Sequence, residues 1–146
     1  MYRGRRVAVV IPAYNVAPQI AGVVKGITDF VDEIVVVDDA SIDQTAQIVA
    51  GLSDARLTLL RHDRNQGVGA AMCTGFRLAL ERGAEIVVKM DGDGQMDPAA
   101  LPTLLEPIVA DGYAYAKGNR FLCEDALRET STSSFVSQPL RATFTP

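Results

Sequence analysis

The chain contains 146 residues, of which 48% are hydrophobic and 22% are charged, and its formal net charge is −4. This length and composition fit one soluble globular domain and exclude a disordered or collagen-like chain. The negative net charge disfavours nucleic acid as a partner, because binding to a phosphate backbone requires clustered basic residues. No apolar run approaches the ~18–20 residues of a membrane span, and no signal-peptide pattern is recognised. We therefore expect a cytoplasmic location.

Short β-branched runs alternate with longer amphipathic stretches, which is the pattern of repeated β–α units. The sequence predicts strands over Val7–Ile11, Glu33–Val37, Arg56–Leu60, Glu85–Met90 and Tyr113–Lys117. It predicts helices over Pro18–Phe30, Ile42–Leu52, Gln66–Arg82 and Pro98–Ala110. The expected fold class is α/β, with a mostly parallel sheet flanked by helices.

Helix starts and the end of the domain are also predicted. Ser41 and Gln44 have the spacing of a capping box, and Asn65 is expected to cap the third helix. Residues 129–146 are rich in Ser and Thr and lack periodicity, so we expect an irregular tail after a domain of residues 1–128. The small number of strands suggests that the chain is a piece of a larger domain.

An acidic loop follows the fourth predicted strand. Alternate spacing allows the Asp91 and Asp93 carboxylates and the Gln95 carbonyl to face one point, while Gly92 and Gly94 permit a tight turn. Mg²⁺ and Mn²⁺ favour such oxygen ligands, together with phosphate oxygens of a substrate. The loop therefore predicts a metal site that holds a diphosphate. The structural alternative is an acidic turn that caps the next helix.

Polar residues also follow the first and second strands, where parallel sheets bind ligands. Asp38 and Asp39 are candidates to accept hydrogen bonds from a ribose hydroxyl or a base N–H group, and the alternative is capping of the next helix. Tyr14 and Asn15, just after Pro12, are candidates to stack on and hydrogen-bond a base. The alternative for Tyr14 is a partly buried loop side chain.

Two glycines begin the third helix. Gly67 and Gly69 permit close approach of the backbone to a ligand, but Met72 occupies the third glycine position of the dinucleotide-binding fingerprint, which disfavours an oxidoreductase. His62 is the single histidine. We expect it to be exposed in a loop, so a Ser-His-Asp triad or a zinc site is disfavoured.

Arg120 ends the fifth predicted strand. Its guanidinium group is suited to bidentate binding of phosphate. The alternative is a salt bridge to a loop aspartate.

In order and spacing, five motifs over roughly residues 7–128 resemble those of family 2 glycosyltransferases of the GT-A fold. The similarity is greatest to the branch that includes dolichyl-phosphate mannosyltransferases and bacterial undecaprenyl-phosphate sugar transferases. The motifs are Ile11-Pro12-Ala13-Tyr14-Asn15, Val37-Asp38-Asp39-Ala40-Ser41, Asn65-Gln66-Gly67-Val68-Gly69, Met90-Asp91-Gly92-Asp93-Gly94-Gln95 and Gly118-Asn119-Arg120-Phe121.

The resemblance implies a Rossmann-like half-domain that transfers a sugar, with inversion, from a UDP- or GDP-linked donor to a lipid phosphate at the membrane surface. It implies Mn²⁺ or Mg²⁺ bound by Asp91, Asp93 and Gln95, catalytic roles for Asp93 and Arg120, and peripheral association with the inner face of the membrane. The implied donor-binding residues are Pro12, Tyr14, Asn15, Val37, Asp38, Asp39, Gly67, Gly69, Asp91, Gly92 and Asp93.

Three alternatives stay open at this point. The acceptor could be a glycan hydroxyl, or the chain could bind a nucleotide sugar without turnover. A phosphorelay receiver would use Asp38 and Asp39 for Mg²⁺ and Asp91 as the phosphate acceptor, with Lys117 nearby. The receiver is disfavoured because its acidic pair should follow the first strand, whereas here another strand precedes it.

Overall fold

Four parallel strands form the sheet in the computed structural model, which describes residues 1–118. The spatial order of the strands is β3-β2-β1-β4, so β1 and β2 are central. Every residue of β2 is buried, and β1 is buried except at Pro12, as expected of strands covered on both faces. The strands are β1 (Val7–Ala13), β2 (Glu33–Asp38), β3 (Leu57–Arg61) and β4 (Ile86–Lys89).

The chain divides into two compact units, Met1–Ala99 and Ala100–Pro146. The first unit contains the sheet and the helices α1 (Ala17–Gly26), α2 (Thr45–Ala50) and α3 (Val68–Glu81). A short 3₁₀ helix over Pro98–Ala100 precedes α4 (Leu101–Ala110). The predicted α/β class and its parallel sheet are thus confirmed.

Within residues 1–118, no helix is long and apolar enough to cross a membrane.

The predicted strand over Tyr113–Lys117 is wrong. These residues have no regular structure and are absent from the sheet's pairings. A strand is stable only when a neighbouring strand pairs with it. The alternating Tyr-Ala pattern favours an extended backbone but does not determine whether such a neighbour exists. The predicted boundary after residue 128 and the tail over 129–146 lie outside the described residues.

Two helix boundaries differ from prediction, and in α2 the reason is that loop side chains form other hydrogen bonds. Helix α2 begins at Thr45, and Asp43 Oδ1 accepts hydrogen bonds from its backbone N–H and its hydroxyl group. Ser41 instead accepts a hydrogen bond from Asn15 N, so the predicted capping box is wrong. Helix α1 ends at Gly26, four residues early, because Ile27 has an extended conformation with φ −67° and ψ 126°.

The start of α3 also differs from prediction. Asn65 Oδ1 accepts a hydrogen bond from Gly67 N, which precedes the first helical residue. Gly67 itself is the N-cap residue, with φ 88°. Because this backbone conformation favours glycine, the helix begins at Val68 rather than at Gln66.

A stripe of small residues lets α3 lie close to β1 and β2. Ala71, Gly75 and Ala79 are buried and recur at the four-residue spacing that puts them on one helix face. A Cβ atom at Gly75 would overlap Val10 Cγ1 and lie 3.2 Å from Val37 Cγ2. The missing side chain at residue 75 is therefore a requirement of the packing between α3 and the sheet.

We predict that Gly75→Ala lowers the free energy of unfolding by about 1–3 kcal/mol, because the added methyl group overpacks the core. Urea unfolding followed by circular dichroism would measure the change. The matched control is Gly22→Ala in α1, where a Cβ atom would meet nothing within 4 Å. That variant should be more stable than the wild type by roughly 0.5–1 kcal/mol, because alanine favours the helix. Equal effects of the two substitutions would contradict this account of the packing.

Candidate functional site

A cleft of about 220 Å³ lies at the edge of the sheet where the strands end. Because the strands are parallel, the loops that follow them leave from this same edge. The cleft brings together residues from the end of β1 and the loop after it, from the loop after β2, and from the start of α3 with the residues just before it. Its lining consists of Pro12, Ala13, Tyr14, Asp39, Asn65, Gly67, Val68 and Ala71. Three of the five sequence motifs thus contribute residues to one cavity.

Asp39 is the acidic residue of this cleft and is 3% exposed. Its Oδ1 atom accepts hydrogen bonds from Gln66 N at 2.9 Å and His62 Nδ1 at 2.7 Å. Its Oδ2 atom accepts one from Gly67 N at 2.7 Å. Burial by itself would raise the pKa of the Asp39 carboxyl group, but the hydrogen bonds from Gln66, His62 and Gly67 outweigh burial and lower it. Asp39 is therefore a carboxylate that can only accept further hydrogen bonds.

The expectation that His62 is exposed was wrong. Its side chain is 10% exposed, and the ring bridges Asp39 to Thr74 Oγ1, which lies 3.0 Å from Nε2. A signal for this contact existed in the strand register. Arg61 pairs with Asp38. The residues that follow them are His62 and Asp39, and these two therefore leave the sheet side by side.

Asp38 is fully buried and supports the turn after β2. Its Oδ1 atom accepts a hydrogen bond from Ser41 N at 3.3 Å. Arg61 Nε lies 3.0 Å from Oδ2, but the direction of its N–H group does not make a hydrogen bond. We assign this contact as an ion pair. Asp38 does not line the cleft, and Ala40, two residues later, takes a left-handed conformation with φ 59°.

A hydrogen-bond network joins the loop after β1 to the loop after β2. Asn15 Oδ1 accepts from Ile42 N, and Ser41 Oγ accepts from Asn15 N, both at 3.0 Å. Thr45 Oγ1 accepts from Val16 N at 2.9 Å, and Asp43 Oδ2 accepts from Ala17 N at 3.1 Å. The Asn15 side chain thus fixes the two loops together. Tyr14, beside it in the cleft wall, stays 47% exposed.

The acidic loop after β4 is held by its glycines. A Cβ atom at Gly92 would lie 3.3 Å from Ile20 Cδ1 and from Val16 Cγ2, so glycine is needed for close packing. Gly94 has φ 78°, which favours glycine. Asp93 follows the buried Gly92 and is exposed. The loop therefore presents its polar side chains at the protein surface.

The donor set of this loop suits a cation that also binds phosphate. Asp91 Oδ1 forms an ion pair with Lys89, and Asp93 Oδ1 accepts a hydrogen bond from Gln95 N at 3.0 Å. Within residues 1–118, no cluster of three or more His, Cys, Asp or Glu side chains is arranged to hold a metal. Mg²⁺ typically uses one or two carboxylates and takes its other ligands from water and substrate phosphates. Two aspartates fit this kind of site.

The remaining predicted site residues lie elsewhere. Val37 is fully buried in β2, and Gly69 lies in the first turn of α3 with open space around its Cα hydrogens. Arg120 and its predicted phosphate contact lie outside the described residues.

Two curated relatives resemble the chain in sequence. It is 34% identical over 126 residues to the UDP-N-acetylglucosamine–dolichyl-phosphate N-acetylglucosaminyltransferase of Methanococcus voltae, covering 76% of this chain and 50% of that protein. It is 37% identical over 107 residues to the undecaprenyl-phosphate mannosyltransferase of Micrococcus luteus, covering 70% of this chain and 44% of that protein. The chain thus spans about half the length of these relatives.

A solved structure agrees with the fold. Glucosyl-3-phosphoglycerate synthase from Mycobacterium tuberculosis, in complex with Mn²⁺, UDP and glucosyl-3-phosphoglycerate, superposes with a TM-score of 0.59 at 27% identity. The match covers 73% of this chain and 40% of that chain. The family model described as glycosyl transferase family 2 matches residues 8–145. The sheet of the described residues is that of the GT-A fold, and the chain belongs to glycosyl transferase family 2.

Proposed function

We propose that the chain supplies the donor-binding half of a metal-dependent, inverting glycosyltransferase that moves a sugar from a nucleoside diphosphate to a polyprenyl phosphate. The observation that carries the proposal is Asp39, an ionised, buried carboxylate in the wall of the cleft beside Pro12 and Tyr14. A planar base needs an apolar surface and a fixed acceptor for its N–H group, and these three residues supply both.

The base and ribose are assigned to the cleft. The Tyr14 ring is half exposed and provides area for stacking. Asp39 accepts a hydrogen bond from the base or the ribose. Gly67 has no side chain, so the ligand can approach the first turn of α3 closely. UDP and GDP both carry the required N–H donors, and both are candidates.

The diphosphate is assigned to the loop after β4, which leaves the same edge of the sheet as the cleft. Asp91 and Asp93 would hold a divalent cation, with Gln95 as the third ligand. Such a cation, when bound, neutralises charge that develops on the departing diphosphate. The solved relative from M. tuberculosis contains Mn²⁺ with UDP, which favours Mn²⁺ and leaves Mg²⁺ as the second candidate.

The acceptor is proposed from chemistry and from the relatives. Both curated relatives are named for lipid phosphates. A phosphate is already ionised near neutral pH, so its transfer does not require a strong general base. Arg120 is proposed to bind phosphate, and the reaction is proposed to take place at the inner face of a membrane.

We predict that nucleotide binding depends on the metal through Asp91 and Asp93. Titration calorimetry of UDP and of GDP, with and without Mn²⁺, should show tight binding of one nucleotide only when the metal is present. Asp91→Asn and Asp93→Asn should each weaken it by about tenfold or more, since even outer-shell changes at metal sites cost roughly 10–100-fold.

Asp97→Asn is the matched control for that titration. Asp97 is exposed in the same loop, and its Oδ1 atom accepts a hydrogen bond from Ala99 N, an interaction that asparagine preserves. Binding should be unchanged in this variant. Equal losses in all three variants, or binding that ignores the metal, would contradict the assignment of the diphosphate site.

We predict that the chain, supplied with a nucleotide sugar and Mn²⁺, transfers the sugar to polyprenyl phosphate. It should form no glycosylated lipid from the matching unphosphorylated polyprenol. Mass spectrometry of the extracted lipid would measure the product. Product from the polyprenol would favour the alternative of a hydroxyl acceptor. Donor binding without product from either lipid would favour a donor-binding chain without turnover.

A further inference from the structure

We infer that His62 is a positioning residue of the nucleotide site, acting through Asp39. Together with Thr74 it orients the Asp39 carboxylate so that one acceptor position is left for the ligand. The inference rests on the proposed function, because it concerns how the same cleft recognises a nucleotide. It assigns a role to a side chain that forms no part of the cleft lining.

The hydrogen bonds of Asp39 define what the ligand must offer. Within the described residues, Oδ1 accepts two hydrogen bonds, from His62 and Gln66, and Oδ2 accepts one, from Gly67. A carboxylate has about four lone-pair positions, so one position on Oδ2 is left. The ligand must therefore approach Asp39 with a single N–H or O–H donor.

The same contacts fix the tautomer of His62. Because Asp39 is ionised and can only accept, the hydrogen between the two residues must lie on Nδ1. In the neutral ring Nε2 is then an acceptor, and the Thr74 hydroxyl group donates to it across 3.0 Å. Asp39 thus sets the tautomer, and the Thr74 hydroxyl group, which can donate or accept, adapts to it.

Helix α3 therefore holds the carboxylate at two places. Gly67 N, at the start of the helix, bonds Oδ2 directly. Thr74, two turns further along, acts on Oδ1 through the His62 ring. Without the ring, Oδ1 would keep only the Gln66 bond, and the carboxylate could rotate away from its present orientation in the cleft wall.

Four variants test the role of His62, each measured by titration of UDP and GDP in the presence of Mn²⁺. His62→Phe keeps the ring but removes the donor, and should weaken nucleotide binding by about tenfold or more, as for the loss of a hydrogen bond to a charged group. His62→Asn places an N–H group near the position of Nδ1 and should restore most of the affinity. Thr74→Val should fall between them. Asp63→Asn, in the exposed loop after His62, should bind like the wild type.

A merely structural role would give a different pattern. In that case the melting temperature would fall in His62→Phe while the affinity of the folded protein stayed unchanged, and His62→Asn would restore nothing specific to binding. Circular dichroism of each variant separates these outcomes. Wild-type affinity in folded His62→Phe would overturn the inference and leave the proposed function intact.

Nitrogen-15 NMR gives a test that does not depend on a variant. The chain has a single histidine, so its imidazole signals are unambiguous. The free protein should show hydrogen on Nδ1, and the bound nucleotide should shift that signal. Hydrogen on Nε2 alone would overturn the inference. Failure of the wild-type chain to bind either nucleotide would overturn the proposed function, and the inference with it.

Discussion

Parallel pairing of β1 with β2 and β4 is the constraint on which the rest of the structure depends. The register aligns Ala13 with Asp38 and Val10 with Lys89, so the three strands end at one edge. Residues that are far apart in the sequence are brought there by backbone hydrogen bonds. The apolar side chains of β1 and β2 favour that pairing, because both strands are almost completely buried in the sheet.

The polar residues at this edge serve either the loops or the cleft. Asp38 accepts a hydrogen bond from Ser41 N and forms an ion pair with Arg61, and the network around Asn15 fixes the loops after β1 and β2. Asp39 and Tyr14 line the cleft. The adjacent aspartates thus have different surroundings, because Asp39 is held by His62, Gln66 and Gly67 from the segment between β3 and α3.

The sequence predicted the fold well where the residue pattern was compatible with only one kind of secondary structure. The β-branched runs of β1 and β2 could form only buried strands, and Gly92 and Gly94 indicated a tight turn. Prediction failed where the outcome depended on contacts between distant segments. Ser41 bonds Asn15 rather than capping its own helix, and His62 bonds Thr74, which follows twelve residues later. Neither partner is visible in local spacing.

The network between the loops after β1 and β2 has a consequence for the thermodynamics of recognition. Four backbone N–H groups in this region are bonded to side-chain oxygens, so the loop that carries Tyr14 is ordered before any ligand arrives. Ordering a mobile loop on association opposes affinity through lost conformational entropy. Here that entropy is lost during folding, and the recognition surface is preorganised.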